Sequence, residues 1–127
     1  MTGYEAHFSR EAINLFVTSA SSVYKTSKGA ADSTRDSYAV EGKTQRLDGQ
    51  PVVFKRVSTR AKIGQEARMF SATLKYRGVT LIIYAVVWRY RVVKASVYVV
   101  GLSGTVKATQ AVQLAQKQQA RIEAAIS

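Results

Sequence analysis

Four aromatic and three basic residues gather in one C-terminal stretch, at spacings that could place them together on a sheet. They are Tyr84, Trp88, Tyr90, Tyr98, Arg89, Arg91 and Lys94. The two-residue repeat of a strand predicts that the rings share one face of adjacent strands, with the basic residues beside the following turn. Single-stranded nucleic acids bind such surfaces by stacking bases on aromatic rings. The pattern suits equally a face packed under a helix, or an apolar ligand cavity, and it favours a mostly buried Trp88.

Residues suited to catalysis or metal binding do not form a recognisable set. His7 is the single histidine and the chain has no cysteine, so an ordinary zinc site is not predicted. Asp32 and Asp36 are four residues apart, but a hydrolase needs two carboxylates held on rigid elements. The stretch from Gly101 to Gly104 lacks the spacing of a phosphate-binding loop. The sequence therefore predicts a protein that is not an enzyme and uses no metal or cofactor.

Positive charge is the clearest signal in the composition. Nineteen Lys and Arg against eight Asp and Glu give a formal net charge of +11 and an isoelectric point near 10.2. Such a charge favours an anionic partner, whether nucleic acid, acidic lipid head groups or acidic polymers of a cell envelope, and it also keeps a small domain in solution. The basic residues are spread along the chain, and the nearest to a cluster is Lys55, Arg56, Arg60, Lys62 and Arg68.

Length and hydropathy limit the organisation of the chain. A length of 127 residues provides for one hydrophobic core, so residues 1–127 are expected to form a single domain. The N-terminus lacks the basic start and apolar core of a signal peptide. The longest apolar stretch, Val79 to Trp88, has about ten residues, whereas a transmembrane helix needs about 20. No transmembrane segment is predicted.

A strand-rich block from Glu66 to Leu102 positions the aromatic and basic residues. Runs of β-branched and aromatic residues are separated by polar breaks around Gly78 and Val92, which predicts a three-stranded meander over residues 68–101. The middle run is apolar at both odd and even positions. This strand is therefore expected at the centre of the sheet, with a layer of structure covering each face.

Helical patterns flank the block. Apolar residues at three- and four-residue spacing predict an N-terminal helix over about residues 4–24, followed by a polar linker over 25–37. A second helix is expected at about 107–125, with Leu114 and Ile122 buried against the sheet.

Two shorter strands complete the predicted fold. They are expected at 38–40 and 51–54, on either side of the turn dipeptide Asp48-Gly49. The fold class is therefore α+β, with an antiparallel sheet of about five strands packed by an N-terminal and a C-terminal helix.

A particular order of segments runs from about residue 63 to 123. It comprises the lead-in Ile63-Gly64-Gln65-Glu66-Ala67, a strand with Phe70, the strand Val79 to Trp88, the basic turn Arg89 to Val93, a strand ending at Gly101, and a helix with Leu114-Ala115, Gln118 and Arg121-Ile122. This order resembles the small extracytoplasmic domains of bacterial, especially actinobacterial, lipoproteins and receptor-like sensors, many of which are similar in fold to the PsbP family. The chain departs from that pattern at Gln65, where an acid is usual, and at Tyr90, where glycine is common. The resemblance implies a fold and carries over no catalytic residue.

Three functional hypotheses follow from these features. The first is a non-enzymatic binding or sensor-type module of the bacterial cell envelope, located outside the cytoplasm, with a ligand or protein partner for which negative charge is favoured. The alternative is a basic nucleic-acid-binding protein that uses the aromatic face with Lys75, Arg89, Arg91 and Lys94, and the alternative location is the cytoplasm. The third is a structural subunit of a larger assembly, including a homo-oligomer.

Overall fold

Eight strands, two α-helices and one 3-10 turn form the described part of the chain. The computed structural model describes residues 2–10, 15–47, 50–58, 62–76, 78–104 and 106–126, with the side chains of 17–39, 41–43, 51–58, 62–75, 78–104 and 106–125. In chain order the elements are β1 (Thr2–Arg10), β2 (Leu15–Val23), α1 (Ser27–Ser37), the 3-10 turn (Tyr38–Val40), β3 (Thr44–Leu47), β4 (Gln50–Val53), β5 (Lys55–Val57), β6 (Gln65–Tyr76), β7 (Val79–Tyr90), β8 (Val93–Leu102) and α2 (Ala108–Ile126).

Six of these strands form one antiparallel sheet in the order β1-β2-β8-β7-β6-β5, and β3 pairs with β4 in a separate hairpin. The three longest strands are consecutive neighbours, β6 with β7 and β7 with β8. Their turns lie at Gly78 and at Arg91–Val92. The predicted meander over residues 68–101 is confirmed, as is the α+β class with a mainly antiparallel sheet.

The N-terminal helix predicted over about residues 4–24 is wrong, because this segment forms β1 and β2 and brings the main sheet to six strands. β2 pairs with the outer side of β8, for example Val17 with Val99, and β1 pairs with β2. Tyr4 and Phe8 are four residues apart, a spacing that a helical turn and a two-residue strand repeat both satisfy. β2 is also rich in Ser and Thr, whose side chains compete with helical backbone hydrogen bonds. The open edge of β8 supplies the backbone partners that favour strands.

Most of residues 25–37, predicted as a polar linker, form α1. The Thr26 hydroxyl caps this helix by accepting a hydrogen bond from the backbone N–H of Gly29 at 3.0 Å. Ala30 and Thr34 are fully buried where the helix packs on the sheet. Because the buried stripe consists of small residues, the sequence shows little hydrophobic periodicity here, and the prediction missed the helix.

The segment between α1 and the meander differs from the prediction in detail. Residues 38–40 form a 3-10 turn instead of a strand, whereas the strand predicted at 51–54 largely corresponds to β4. The Asp48-Gly49 turn lies outside the described residues. Phe54, which follows β4, forms an isolated parallel bridge with Glu41.

One side of the sheet, termed the α2 face, packs against α2. It carries the even-numbered residues of β7 and the odd-numbered residues of β8, since Val86 pairs with Val97. The buried residues of this layer are Ile63, Met69, Val86, Trp88, Val93, Ala95, Val97, Val99, Val106, Ala111, Ala115 and Ile122. Burial of their apolar surface is the main favourable term for this layer, at roughly 25 cal/mol per Å².

The helix α2 confirms the one predicted at about 107–125. Ile122 is buried, as predicted, whereas Leu114 is only half-buried at the margin of the core. Ala111 and Ala115 are fully buried, because a one-carbon side chain lets the helix backbone lie close to the sheet.

The opposite side, termed the α1 face, is covered by α1, the 3-10 turn and the β3–β4 hairpin. It carries Phe70 and the odd-numbered residues of β7, since Phe70 pairs with Ala85. The buried residues of this layer are Tyr38, Val52, Phe54, Phe70, Ala72, Leu74, Ile83, Ala85 and Val87. β7 is thus buried from both sides, as its two-sided apolar pattern predicted.

Phe70→Ala should lower the free energy of unfolding by about 3–5 kcal/mol, because the 1 % exposed ring is replaced by a cavity between β6 and the 3-10 turn. Thr73→Ala is the matched control, since Thr73 is exposed on the same strand and its truncation should change stability by about 0.5 kcal/mol or less. Urea titration measures both. A loss of unfolding free energy below about 1 kcal/mol for Phe70→Ala would contradict the burial of Phe70 in the core of the α1 face.

Candidate binding site at the Glu66 cluster

The predicted aromatic set is divided between the two faces of the sheet. Tyr84, Trp88 and Tyr90 lie on the α2 face, whereas Tyr98 pairs with Ala85 and therefore lies on the α1 face. The two-residue turn between β7 and β8 sets this register, in which even positions of one strand oppose odd positions of the next. The prediction that the four rings share one face is wrong.

Trp88 belongs to the core. Its ring has no exposed surface, and its Nε1–H donates a hydrogen bond to Oε1 of Gln119 on α2 at 2.8 Å. This bond satisfies the polar atom of the buried indole and fixes the orientation of the Gln119 amide. The prediction that Trp88 is mostly buried is confirmed. Because α2 covers the ring, a nucleobase cannot stack on it. Tyr84 and Tyr90 are half-buried beside the same core.

The basic residues of the predicted set lie at the turn end of the meander. Arg89 and Lys94 are directly opposite each other on the α1 face, an arrangement of like charges that destabilises a sheet. The Lys94 ammonium donates to the Ser33 hydroxyl of α1 at 3.3 Å, and that hydroxyl also lies 2.7 Å from the hydroxyl of Tyr24. The guanidinium group of Arg89 forms an ion pair with the carboxylate of Glu66.

A group of five residues, termed the Glu66 cluster, joins α1 to this end of the sheet; its members are Arg35, Tyr38, Glu66, Arg68 and Arg89. Oε1 of Glu66 lies 3.1 Å from Nη2 of Arg35 and 3.6 Å from Nη2 of Arg89. The Arg89 side chain is only 14 % exposed, so its pair with Glu66 is less screened than the pair with Arg35, which is 60 % exposed. One carboxylate thus holds two guanidinium groups from separate elements.

A β-bulge places Glu66 at this position. The register between β6 and β7 shifts between Gln65 and Arg68, and Glu66 has a left-handed backbone with φ of +52°. Gly64 has the same φ, and a Cβ there would lie 2.7 Å from the carbonyl oxygen of Arg89 and 2.8 Å from Cδ1 of Trp88. The lead-in therefore needs a glycine, because only a residue without a side chain fits against the end of β7.

Tyr38 completes the link between the layers. Its hydroxyl donates to the backbone carbonyl of Glu66, and the guanidinium carbon of Arg68 lies 4.3 Å from the centre of its ring. The Tyr38 ring also packs at 6.1 Å from that of Phe70. Burial raises the pKa of Tyr38 from its ordinary 10.0 to about 12, and the positive charge of Arg68 opposes part of that rise.

The turn between β7 and β8 is tied to the same bulge. Arg91 has φ of +55°, and its backbone N–H donates to Oε1 of Gln65 at 3.0 Å. Its carbonyl accepts a hydrogen bond from Nη1 of Arg89 at 3.1 Å, and its own guanidinium carbon lies 5.3 Å from the centre of the Tyr90 ring. Gln65 and Tyr90, the two departures from the lipoprotein-domain pattern, therefore both contact Arg91.

The sequence singled out Arg89, Arg91 and Lys94 but did not single out their partners. Glu66 lies in the segment from Ile63 to Ala67 that carries the family resemblance, and Arg68 is one of the loosely clustered basic residues, so the sequence did mark these two positions. Arg35 has no such signal, because it lies in the segment predicted as a polar linker. The partner residues come together only through packing of α1 on the sheet.

No group of three or more His, Asp or Glu side chains that could hold a metal ion is found within the part of the chain that the structure describes. Over the same residues, neither helix is long and apolar enough to span a membrane. His7 lies in β1, and its side chain is outside the described set.

Comparison with solved structures identifies a similar fold. The extracellular domain of PknH from Mycobacterium tuberculosis superimposes with a TM-score of 0.60 and 14 % sequence identity, covering 85 % of this chain and 57 % of that domain. At this identity the likeness is one of fold, shared with a domain that lies outside the cell. It does not bear on a PsbP-like fold, which stays a prediction. No family model matches the sequence, and no curated protein matches it.

Gly64→Ala should cost about 2–5 kcal/mol of stability, because the added Cβ meets Arg89 and Trp88 while the backbone stays left-handed. Gly42→Ala is the matched control, since Gly42 has φ of +74° and nothing within 4 Å of its Cβ position. The control should cost only the backbone term, about 1–2 kcal/mol. Equal losses in thermal and urea unfolding would mean that the contact with β7 contributes nothing.

Tyr38 should make stability fall as the pH rises from 10 to about 12. The unfolded chain releases the phenol proton near 10.0, whereas the folded protein retains it until about 12, so alkali favours the unfolded state over this window. The difference in unfolding free energy between the natural protein and Tyr38→Phe should shrink by up to about 3 kcal/mol across it. Denaturant titrations at several pH values measure this difference, and parallel profiles would contradict the raised pKa.

Proposed function

We propose that this chain is a non-enzymatic binding or sensor-type module of the bacterial cell envelope, located outside the cytoplasm. The observation that carries the proposal is the likeness in fold to an extracellular domain over 85 % of the chain. The segment order of the C-terminal half, with its lead-in, basic turn and closing helix, independently resembles extracytoplasmic lipoprotein and sensor domains.

The ligand or partner is proposed to be anionic and to bind beside the Glu66 cluster, with Lys94 and Arg91. Arg89 lies directly opposite Lys94 on the neighbouring strand. Arg35, which pairs with Glu66 and with Asp32, and Arg68, which lies over the Tyr38 ring, add two more cations. Like charges placed together lower stability, and local rules are broken in this way mainly at functional sites. An anion at this position would relieve the repulsion.

The chemistry of the cluster favours binding over catalysis. Glu66 is engaged by two guanidinium groups, Lys94 by a hydroxyl of α1, and the Tyr38 hydroxyl by a backbone carbonyl. These contacts hold charges at fixed positions between α1 and the sheet. Such an arrangement suits recognition of a charged group and supplies no nucleophile paired with a base.

The alternative hypothesis of nucleic-acid binding required one exposed aromatic face of the sheet, which the structure does not contain within the described residues. Trp88 is enclosed by α2, and Tyr98 is on the other face of the sheet, so these two rings do not form one stacking platform. Both faces of the central strand are covered within the chain, which also weakens the hypothesis of an assembly subunit that offers an open apolar sheet.

The location is tested on intact cells of the organism that encodes the chain. Protease added to intact cells or to protoplasts should degrade this chain while a cytoplasmic marker survives, as followed with an antibody. Protection equal to that of the marker would refute the envelope assignment and leave the binding test unaffected.

Binding is tested with inorganic polyphosphate and with phosphatidylglycerol vesicles, followed by fluorescence and sedimentation. Arg91→Asn removes an exposed charge and tolerates the left-handed backbone. Lys94→Gln removes the half-buried charge opposite Arg89. The double variant should bind about 3- to 10-fold more weakly. Lys107→Gln with Lys117→Gln removes two exposed charges at α2 and just before it; this double variant is the matched control and should bind like the natural protein. Equal weakening in all variants would indicate attraction by net charge alone and no site at the cluster.

A further inference from the structure

The outer edge of β6 is only partly paired. β6 runs from Gln65 to Tyr76, but β5 pairs with it only from Met69 to Ser71. From Ala72 to Lys75, no strand of the described chain pairs with the side of β6 that faces away from β7. Backbone N–H and C=O groups on such an edge form a template to which another extended chain can add.

The path of the preceding chain explains why this edge is open. β5 ends its pairing at Lys55, opposite Ser71. Before it, Phe54 and Val52 are buried in the core of the α1 face together with Leu74. The β3–β4 hairpin therefore contacts β6 through these side chains, but β4 pairs with β3 and not with β6.

Positive charge borders the open edge. Ser71, Thr73 and Lys75 project from the α2 face of β6, and Lys55 projects from the same face of β5. Both lysines and Thr73 are exposed, so the helix α2 does not cover this part of the α2 face of the sheet. The register separates Lys55 from Lys75 by four residues along β6, which is roughly 13 Å at the rise of a strand. Arg56 is exposed on the other face of β5.

We propose that the edge of β6 at residues 72–75 accepts an acidic, extended peptide segment of a partner protein as an added strand. The peptide backbone pairs with β6, and acidic side chains on the α2 face of that strand lie beside Lys75 and in line with Lys55. The cluster lies at the opposite end of β6 and on the α1 face, so the inference does not rest on the proposed function.

A second copy of the chain fits this edge less well. Pairing of two β6 edges would bring the Lys55 and Lys75 side chains of both copies together, and each copy carries a net charge of +11. Lysine on an edge strand is a common device against self-association. The same lysines attract a strand of opposite charge, which leaves the acidic peptide as the complementary occupant.

The probe is a seven-residue peptide of alternating glutamate and threonine with capped termini. Hydrogen exchange of the full chain, followed by NMR, should show alternate amide protons of residues 72–75 exchanging at least about tenfold more slowly with peptide at about 100 times its Kd. Peptides with glutamate replaced by lysine, or N-methylated at successive residues, should give no such protection. Peptide binding without protection at residues 72–75, or no binding, would overturn the proposal. Concentration-dependent protection of these amides without peptide would do so as well, because the occupant would be a second copy.

Charge variants distinguish peptide binding at the β6 edge from attraction of the peptide by the net charge of the protein. Lys75→Glu and Lys55→Glu should each weaken binding of the labelled peptide about 3- to 30-fold, as an attractive cross-strand pair becomes a repulsive one. Lys117→Glu changes the net charge equally, on the exposed side of α2, and should change the Kd less than twofold. Equal weakening by Lys117→Glu would overturn the edge site, since it would assign the binding to net charge alone.

Discussion

The burial of β7 from both sides is the constraint on which the rest of the structure depends. Val86 and Trp88 face α2, whereas Ala85 and Val87 face α1 and the hairpin. An antiparallel strand that is apolar on both faces is stable only when each face is covered. The chain must therefore supply a layer on either side of the meander, and the segments before and after it provide these layers.

The two layers are fixed to the sheet by different kinds of contact. On the α2 face, small alanines allow close approach, and the bond from Trp88 to Gln119 satisfies the one polar atom of the buried indole. On the α1 face, the contact at the turn end is electrostatic, with Glu66 between Arg35 and Arg89. Gly64 lies where these contacts meet, packed against Trp88 and the backbone of Arg89. A change at this glycine therefore affects both layers.

The excess of positive charge has a definite distribution around this framework. Some cations lie at the turn end, where Arg89 of the Glu66 cluster is directly opposite Lys94 on the neighbouring strand. Others border the unpaired part of β6 at the far end of the meander. At the turn end the charges are partly buried and ordered by specific partners. Along β6 they are exposed beside backbone groups that no strand of the described chain pairs with. The first arrangement suits recognition of a charged group, and the second suits pairing with an extended chain.

The meander and α2 could be predicted from the sequence because their signals are local. Alternation on β6 to β8 and the turn residues fix the strands, and the apolar stripe of α2 fixes the helix. The N-terminal strands and α1 could not be predicted in this way. Tyr4 and Phe8 fit two periodicities, and the choice depends on the distant edge of β8. The small buried residues of α1 give almost no periodic signal.

The candidate site also combines residues that local sequence patterns predict with residues that come together only in the fold. The basic turn, with Arg89, Arg91 and Lys94, and the burial of Trp88 are predictable from local sequence patterns alone. The face that each side chain occupies depends on strand pairing, because a turn of two residues sets the register and one residue more or fewer would exchange the faces. The contact between Arg35 and Glu66 also depends on the tertiary fold, since 31 residues separate them and the packing of α1 on the sheet brings them together.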